Sequence, residues 1–152
     1  MLTDGDALAG VLIPTAQRLL LLPNVCVAEV LPAQRLQTLD DLPAGRLGYL
    51  DWRGQQILVL QPADFLPDAA AAAPPARVMV VMNRVHPGPG GEFYALAASG
   101  LPRMVQLAVE DLNRRDDACT SIDAMHVTVG TEAATIPDLA FLEAQLSVLA
   151  DA

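Results

Sequence analysis

The stretch Leu47-Gly48-Tyr49-Leu50-Asp51-Trp52-Arg53-Gly54-Gln55-Gln56-Ile57-Leu58-Val59-Leu60 reads as two short apolar strands joined by a tight Arg-Gly turn. The residues before Arg53 and after Gln56 are strand formers, and Gly54 supplies the backbone freedom that a sharp reversal needs. Arg53 is the only charge at the tip of this turn. It is either a solvated turn residue or an anchor for a group outside the hairpin.

On the N-terminal side, Leu8 to Ile13 is apolar without a clear period and ends at Pro14. Arg18 to Leu22 follows, then a Pro23-Asn24 corner, then Val25 to Val30. That last run has a strand pattern with Val25, Val27 and Ala28 inward or half-buried and Glu29 near its end. Ala33 to Pro43 is expected to be a loop, Pro62 to Leu66 a short helical turn, and the Ala/Pro-rich run 67–76 a stiff surface connector between two halves. Beyond it, Arg77 to Met82 is a strand, His86-Pro87-Gly88-Pro89-Gly90-Gly91 a turn, and Glu92 to Ala98 the returning strand. Gly100-Leu101-Pro102 breaks the pattern before Met104 to Leu107, and Asn113 to Thr120 is a polar loop. Met125 to Val129 alternates as a strand. Pro137 to Leu149 carries Leu139, Leu142, Leu146 and Leu149 at helical spacing. Many short strands in two groups with one C-terminal helix predict a mainly all-β fold of paired small barrels.

Composition narrows the function classes. The chain has 152 residues, 53% hydrophobic and 18% charged, which fits one folded domain and excludes a disordered chain. With aromatics at 4%, the core must be aliphatic. A net charge of −9 and scattered arginines disfavour nucleic acid, whose phosphates require clustered cations. No segment reaches the roughly 18–20 apolar residues of a membrane span. The acidic start, Met1 to Asp6, has the wrong sign for a secretory signal, so the expected location is cytoplasmic.

Candidate chemistry is sparse. Cys26 sits in an apolar run and reads as a small core residue. Cys119, His126 and Asp123 form no recognised nucleophile arrangement, and His86 and His126 lie in different hairpins without further ligands at metal spacing. No metal or cofactor is expected. Asp40-Asp41 and Asp116-Asp117 read as solvated loop charge, and Gly88, Gly90 and Gly91, interrupted by prolines, do not open a phosphate-binding helix. Trp52, the single tryptophan, has two open readings: an interface hot spot, or a cap on the barrel core with its N–H bonded locally. Glu29 is either a charge guarding a strand edge or a partner contact. A small-molecule-binding β-barrel would need convergent polar groups that the sequence does not display.

From Leu19 to Leu112 the chain resembles the CheW family of chemotaxis coupling proteins. Val27-Ala28-Glu29-Val30 is similar to the family's Val-x-Glu-Ile strand end. Gly48 to Gly54 resembles its Gly-to-Arg-Gly hairpin, with both glycines and the arginine in register. Arg77 to Met82 resembles the strand that begins its second barrel, and Tyr94 to Val105 its Val-Gly-Leu-Val-Val-Asp-x-Val segment. Val109-Glu110-Asp111-Leu112 matches the acidic turn that follows. The phrase Leu-Leu-Leu-Leu-Pro-Asn-x-x-Val-Ala-Glu-Val is most like the accessory CheW-like proteins of type IV pilus chemosensory clusters, which govern twitching motility.

The resemblance implies a non-enzymatic scaffold spanning residues 8–150 as a single domain. Its two SH3-like five-stranded β-barrels share a hydrophobic seam and bridge chemoreceptor cytoplasmic tips to the regulatory domain of a CheA-type histidine kinase. Carried over by position, Val27 and Glu29 would lie on the kinase-facing edge with Gly48 nearby. Arg53 and Gly54 would support the hairpin at the barrel junction, and Ser99, Gly100 and Leu101 would line the second-barrel side of the receptor groove. The family pattern is departed from at Asp51-Trp52, at Leu60-Gln61-Pro62 and at Ser99. After Leu112 only Met125 to Val129 reads as a strand, which leaves the closure of the second barrel open. That departure raises a second reading, an accessory protein that binds one array partner and modulates or inhibits assembly.

Overall fold

The computed structural model describes residues 8–15, 19–32, 36–38, 46–62, 77–89, 91–108, 112–114, 123–129 and 131–146. The chain enters through β1 (Leu8–Pro14) and β2 (Leu19–Pro23), turns in a 3-10 helix at Asn24–Cys26, and continues as β3 (Val27–Pro32) and β4 (Leu36–Thr38). The hairpin β5 (Arg46–Trp52) and β6 (Gln55–Leu60) follows, then the hairpin β7 (Val78–Asn83) and β8 (Phe93–Ala98). The last elements are β9 (Arg103–Leu107), β10 (Leu112–Arg114), β11 (Asp123–Val129), β12 (Glu132–Pro137) and the helix α1 (Leu139–Ala144).

These strands form two sheets, ordered β3-β7-β8-β6-β5-β4 and β10-β11-β12-β2-β1-β9. Neighbours are antiparallel except at β6–β8 and β12–β2. The pair of small sheets agrees with the expected architecture, each with six strand segments among the described residues where five were expected. The connectivity differs from the expected division into halves. The first two and last four described strands lie in the second sheet and the first sheet is built in between, with crossings at Asn24–Cys26 and again at Ser99–Pro102. Arg77 to Met82 therefore does not begin the second barrel; β7 is an interior strand of the first. The run 67–76 lies outside the described residues; the strands before and after it, β6 and β7, belong to one sheet.

Burial explains why so many strands lack polar alternation. In β7 and β8 Val78, Val80, Met82, Tyr94, Leu96 and Ala98 face a core between the sheets, while Met79, Val81, Ala95 and Ala97 face the interior of the first barrel. In β1 and β2, Val11, Ile13, Leu20 and Leu22 enter the same seam, and Leu12 and Leu21 enter the second barrel. A strand buried on both faces must be apolar at every position. The seam core is completed by Leu142 and Leu146, so α1 covers a core to which both sheets contribute.

Further expectations are corrected. Val25 is not inward: it lies in the 3-10 turn and is 79% exposed, because Pro23 ends β2 and the turn aims Cys26, not Val25, into the seam. Pro137 does not open a helix. It ends β12, and Asp138 caps α1 by accepting from the Phe141 N–H at 3.1 Å. The second sheet continues past Leu112: β10 pairs with β11, β11 with β12, and β12 meets β2 at Thr135 and Leu20. Part of the expected loop 33–43 is β4, and the expected loop from Asn113 starts inside β10. The 63–66 turn, Asp40-Asp41, Asp116-Asp117, Cys119 and Val109 to Asp111 lie outside the described residues.

Candidate interaction surfaces

The β5–β6 hairpin turns on two residues with left-handed backbone, Arg53 (φ 50°) and Gly54 (φ 80°), closed by the pair Trp52 and Gln55. Positive φ at both central residues matches the twist of the flanking strands. The turn delivers Trp52 and Arg53 to Glu29 on the edge strand β3. The Trp52 indole N–H donates to Glu29 Oε1 at 3.0 Å, and the Arg53 guanidinium reaches the same oxygen at 3.2 Å. The guanidinium also stacks over the Trp52 ring, 4.7 Å from its centroid, and the Phe93 ring centroid lies 4.8 Å from that of the indole. Trp52 is 5% exposed, so it caps the first-barrel core with its N–H bonded locally. Arg53 and Glu29 remain open to solvent, with side chains 68% and 36% exposed. An ion pair that exposed contributes little on its own. The buried indole donor makes Glu29 structurally necessary, because an unpaired buried N–H is costly.

This cluster unites Glu29, Trp52, Arg53 and Gly54, and it lies within the first barrel. Two other expected site residues lie elsewhere. Val27 is half-buried against the seam core, and Gly48 is buried in β5 at a bulge between Arg46 and its own position, on the β4 side of the sheet.

The second crossing builds a different surface. Ser99 donates its backbone N–H to Pro14 O at 2.9 Å, and Arg77 N–H donates to Ala98 O at 2.9 Å, fixing the end of β8 against β1 and β7. Gly100 sits against Pro14, and Leu101 projects outward, 74% exposed. Together with Val30, Leu31 and Pro32 of β3 and Arg77 and Val78 at the start of β7, they line an open groove of about 510 Å³. Its walls are almost wholly apolar, with Arg77 as the charged group. Gly100 and Leu101 were legible as candidates. Val30, Pro32 and Arg77 were not, because the groove joins segments more than forty positions apart.

A third cluster had no signal in the sequence. Glu143 of α1 is fully buried, yet its carboxylate accepts from the Val85 N–H at 2.9 Å, the His86 N–H and the Tyr94 hydroxyl at 2.9 Å. Arg84 answers from the opposite side, donating to His86 O at 2.6 Å, Pro89 O at 2.7 Å, Gly91 O at 3.0 Å and Glu143 O at 3.4 Å. The β7–β8 loop and the helix are thus tied by two charges, each satisfied largely by backbone. Burial, followed by the nearby carboxylate, pushes the Tyr94 hydroxyl far above its ordinary pKa, and burial with Glu143 raises the Cys26 thiol.

Among the described residues no group of three or more His, Cys, Asp or Glu side chains is arranged to hold a metal ion. No helix among them is long and apolar enough to cross a membrane.

Comparison with known proteins agrees with this architecture. No match is found among curated proteins. Among solved structures, the chain is similar to the scaffolding protein TtCheW from Thermoanaerobacter tengcongensis, with a TM-score of 0.70 at 13% identity, covering 88% of this chain and 85% of that one. At that identity the likeness speaks to the fold. The family model described as a CheW-like domain matches residues 9–142, which takes in both sheets and most of the helix. The chain therefore belongs to the CheW-like domain family, the scaffolds and adaptors of chemotaxis signalling.

Proposed function

We propose that this chain is a non-enzymatic, cytoplasmic adaptor of a bacterial chemosensory array. In this reading residues 8–150 act as one domain that couples chemoreceptor cytoplasmic tips to the regulatory domain of a CheA-type histidine kinase. The observation that carries the reading is the apolar groove formed where β3 and β7 of the first barrel meet the Ser99–Pro102 crossing into the second. A groove with apolar side-chain walls and a charged rim suits an amphipathic receptor helix. The cluster of Glu29, Trp52 and Arg53 is then a brace that holds the edge strand β3, so that β3 presents Glu29 toward the kinase and Val30 toward the groove. The sequence phrase around Leu19 to Val30 supports a type IV pilus cluster and control of twitching motility as the setting.

Individual contacts in such an array are weak, and linked contacts raise the effective concentration of each partner. The test is direct titration of the chain with the kinase regulatory domain and, separately, with a receptor tip fragment from the same system. Binding to both is the expected result. Binding to neither by a folded sample overturns the proposal. The strands β10 to β12, which carry the second sheet past Leu112, support the coupling reading over the single-partner alternative.

A further inference from the structure

Four arginine side chains are described, and three are committed inside the chain. Arg53 is held by Glu29, Arg84 by four backbone carbonyls, and Arg103 by Glu132 at 2.9 Å. Arg77 differs. Its backbone N–H is pinned to Ala98 O, while its exposed side chain makes no hydrogen bond or ion pair among the described residues. It stands at the rim of the groove lined by Val30, Leu31, Pro32, Val78, Gly100 and Leu101.

We infer that Arg77 selects the groove's occupant by reading a carboxylate on the docked segment, which is an amphipathic helix with an acidic residue beside its apolar anchors. This rests on the proposed receptor-binding role of the groove and adds to it the chemistry that determines specificity. Three observations choose that occupant. The walls are aliphatic side chains, which take apolar anchors. The lip carries one uncommitted guanidinium, whose planar fork fits a carboxylate bidentately. At the Arg77 end of the groove backbone donors are few, since the Arg77 and Ser99 N–H groups are already bonded and Pro32 has none, which favours a helix that docks through its side chains. A second copy of the chain is a poor occupant, because each carries a net charge of −9. A rim charge acts mainly on association rate and salt dependence, and selects among partners of similar apolar character.

The test titrates a helical-hairpin receptor tip fragment against wild type, Arg77→Glu and Leu101→Ser, at low and moderate salt. Both positions are exposed enough that circular dichroism should report an unchanged fold. Wild-type affinity is expected to fall with salt, Arg77→Glu to bind about three- to tenfold more weakly with that salt dependence lost, and Leu101→Ser to lose binding at both salts. Reversing acidic residues of the fragment one at a time should identify one Glu→Lys or Asp→Lys change that restores binding to Arg77→Glu. If Arg77→Glu binds as wild type while Leu101→Ser fails, the groove reading stands and the inference about Arg77 falls. If Leu101→Ser also binds as wild type, both fall. Concentration-dependent dimers of the chain alone, abolished by Leu101→Ser, would assign the groove to a second copy and overturn the inference.

Discussion

The Trp52 indole N–H and Glu29 Oε1, 3.0 Å apart and twenty-three positions distant in the chain, join the tip of the β5–β6 hairpin to the edge strand β3. The arrangement has a counterpart in the second barrel with the charges exchanged. There Arg103, on the edge strand β9, meets Glu132 at the β11–β12 turn, both bonds at 2.9 Å. Each sheet is thus held at an edge strand by a bond to a hairpin end. Only the first includes a buried aromatic donor, so only there should removal of the acid reach the core.

Glu29→Ala leaves the buried indole N–H without its acceptor and should destabilise the fold by about 1–3 kcal/mol. Arg53→Ala removes an exposed pair and should cost under about 1 kcal/mol. Trp52 is the single tryptophan, so its fluorescence reports this site alone. Denaturant melts should separate the two variants in stability, and emission should shift in Glu29→Ala and hold in Arg53→Ala. Equal effects in both would mean that the ion pair, not the indole bond, holds the strand.

Gly54 has φ +80° and open space around the position of an added Cβ. The penalty for a side chain there is conformational rather than steric. Gly54→Ala should therefore lose about 1 kcal/mol, the cost of left-handed backbone for an L-residue, with the same Trp52 emission as wild type. A larger loss with altered emission would show that the turn had changed type.

What could be read in advance follows physical range. The hairpin at Arg53-Gly54 was legible because a turn is a local event. The strands of β7 and β8 were legible as strands, but nothing in an all-apolar run such as Val78 to Met82 says which core each face enters, so their barrel was misassigned. Glu132 to Pro137 was missed because Glu and Ala are weak strand formers and Pro137 resembles a helix start. The brace and the groove depend on contacts between distant segments, for which a single sequence carries no signal beyond the family pattern. Glu143 carries no distinguishing mark in the leucine-striped run from Pro137 to Leu149, and only the folded β7–β8 loop reveals its donors.

Glu143→Leu should cost more than any surface change. It leaves the buried Tyr94 hydroxyl and the part-buried Val85 and His86 N–H groups without their acceptor, about 1–3 kcal/mol for each donor that water fails to satisfy. Glu143→Gln keeps acceptor oxygen and should recover much of that loss. Thermal melts with hydrogen exchange at Val85 and His86 would check this: protection should vanish in the leucine variant and persist in part in the glutamine variant. Unchanged protection in the leucine variant would show that the loop is held by Arg84 alone.

Alkaline stability tests the same region. The Cys26 thiol and the Tyr94 hydroxyl both have raised pKa values in the folded state, from ordinary values of 9.0 and 10.0, with burial the leading cause in each. Below those values both states hold the protons, and neither group biases folding. As pH rises past 9.0 the unfolded chain releases the thiol proton first, and past 10.0 the phenolic proton, while the folded chain retains both. The unfolded state then binds fewer protons, so stability falls with increasing pH. Wild type should lose stability steadily from about pH 9 upward. Tyr94→Phe removes one titration and should be less stable at neutral pH, having lost the bond to Glu143, yet show a shallower decline above pH 10. Cys26→Ala should flatten the part of the decline that begins near pH 9. Denaturant midpoints from pH 7 to 11 for the three proteins decide the matter, and parallel curves would mean that neither group is held protonated by the fold.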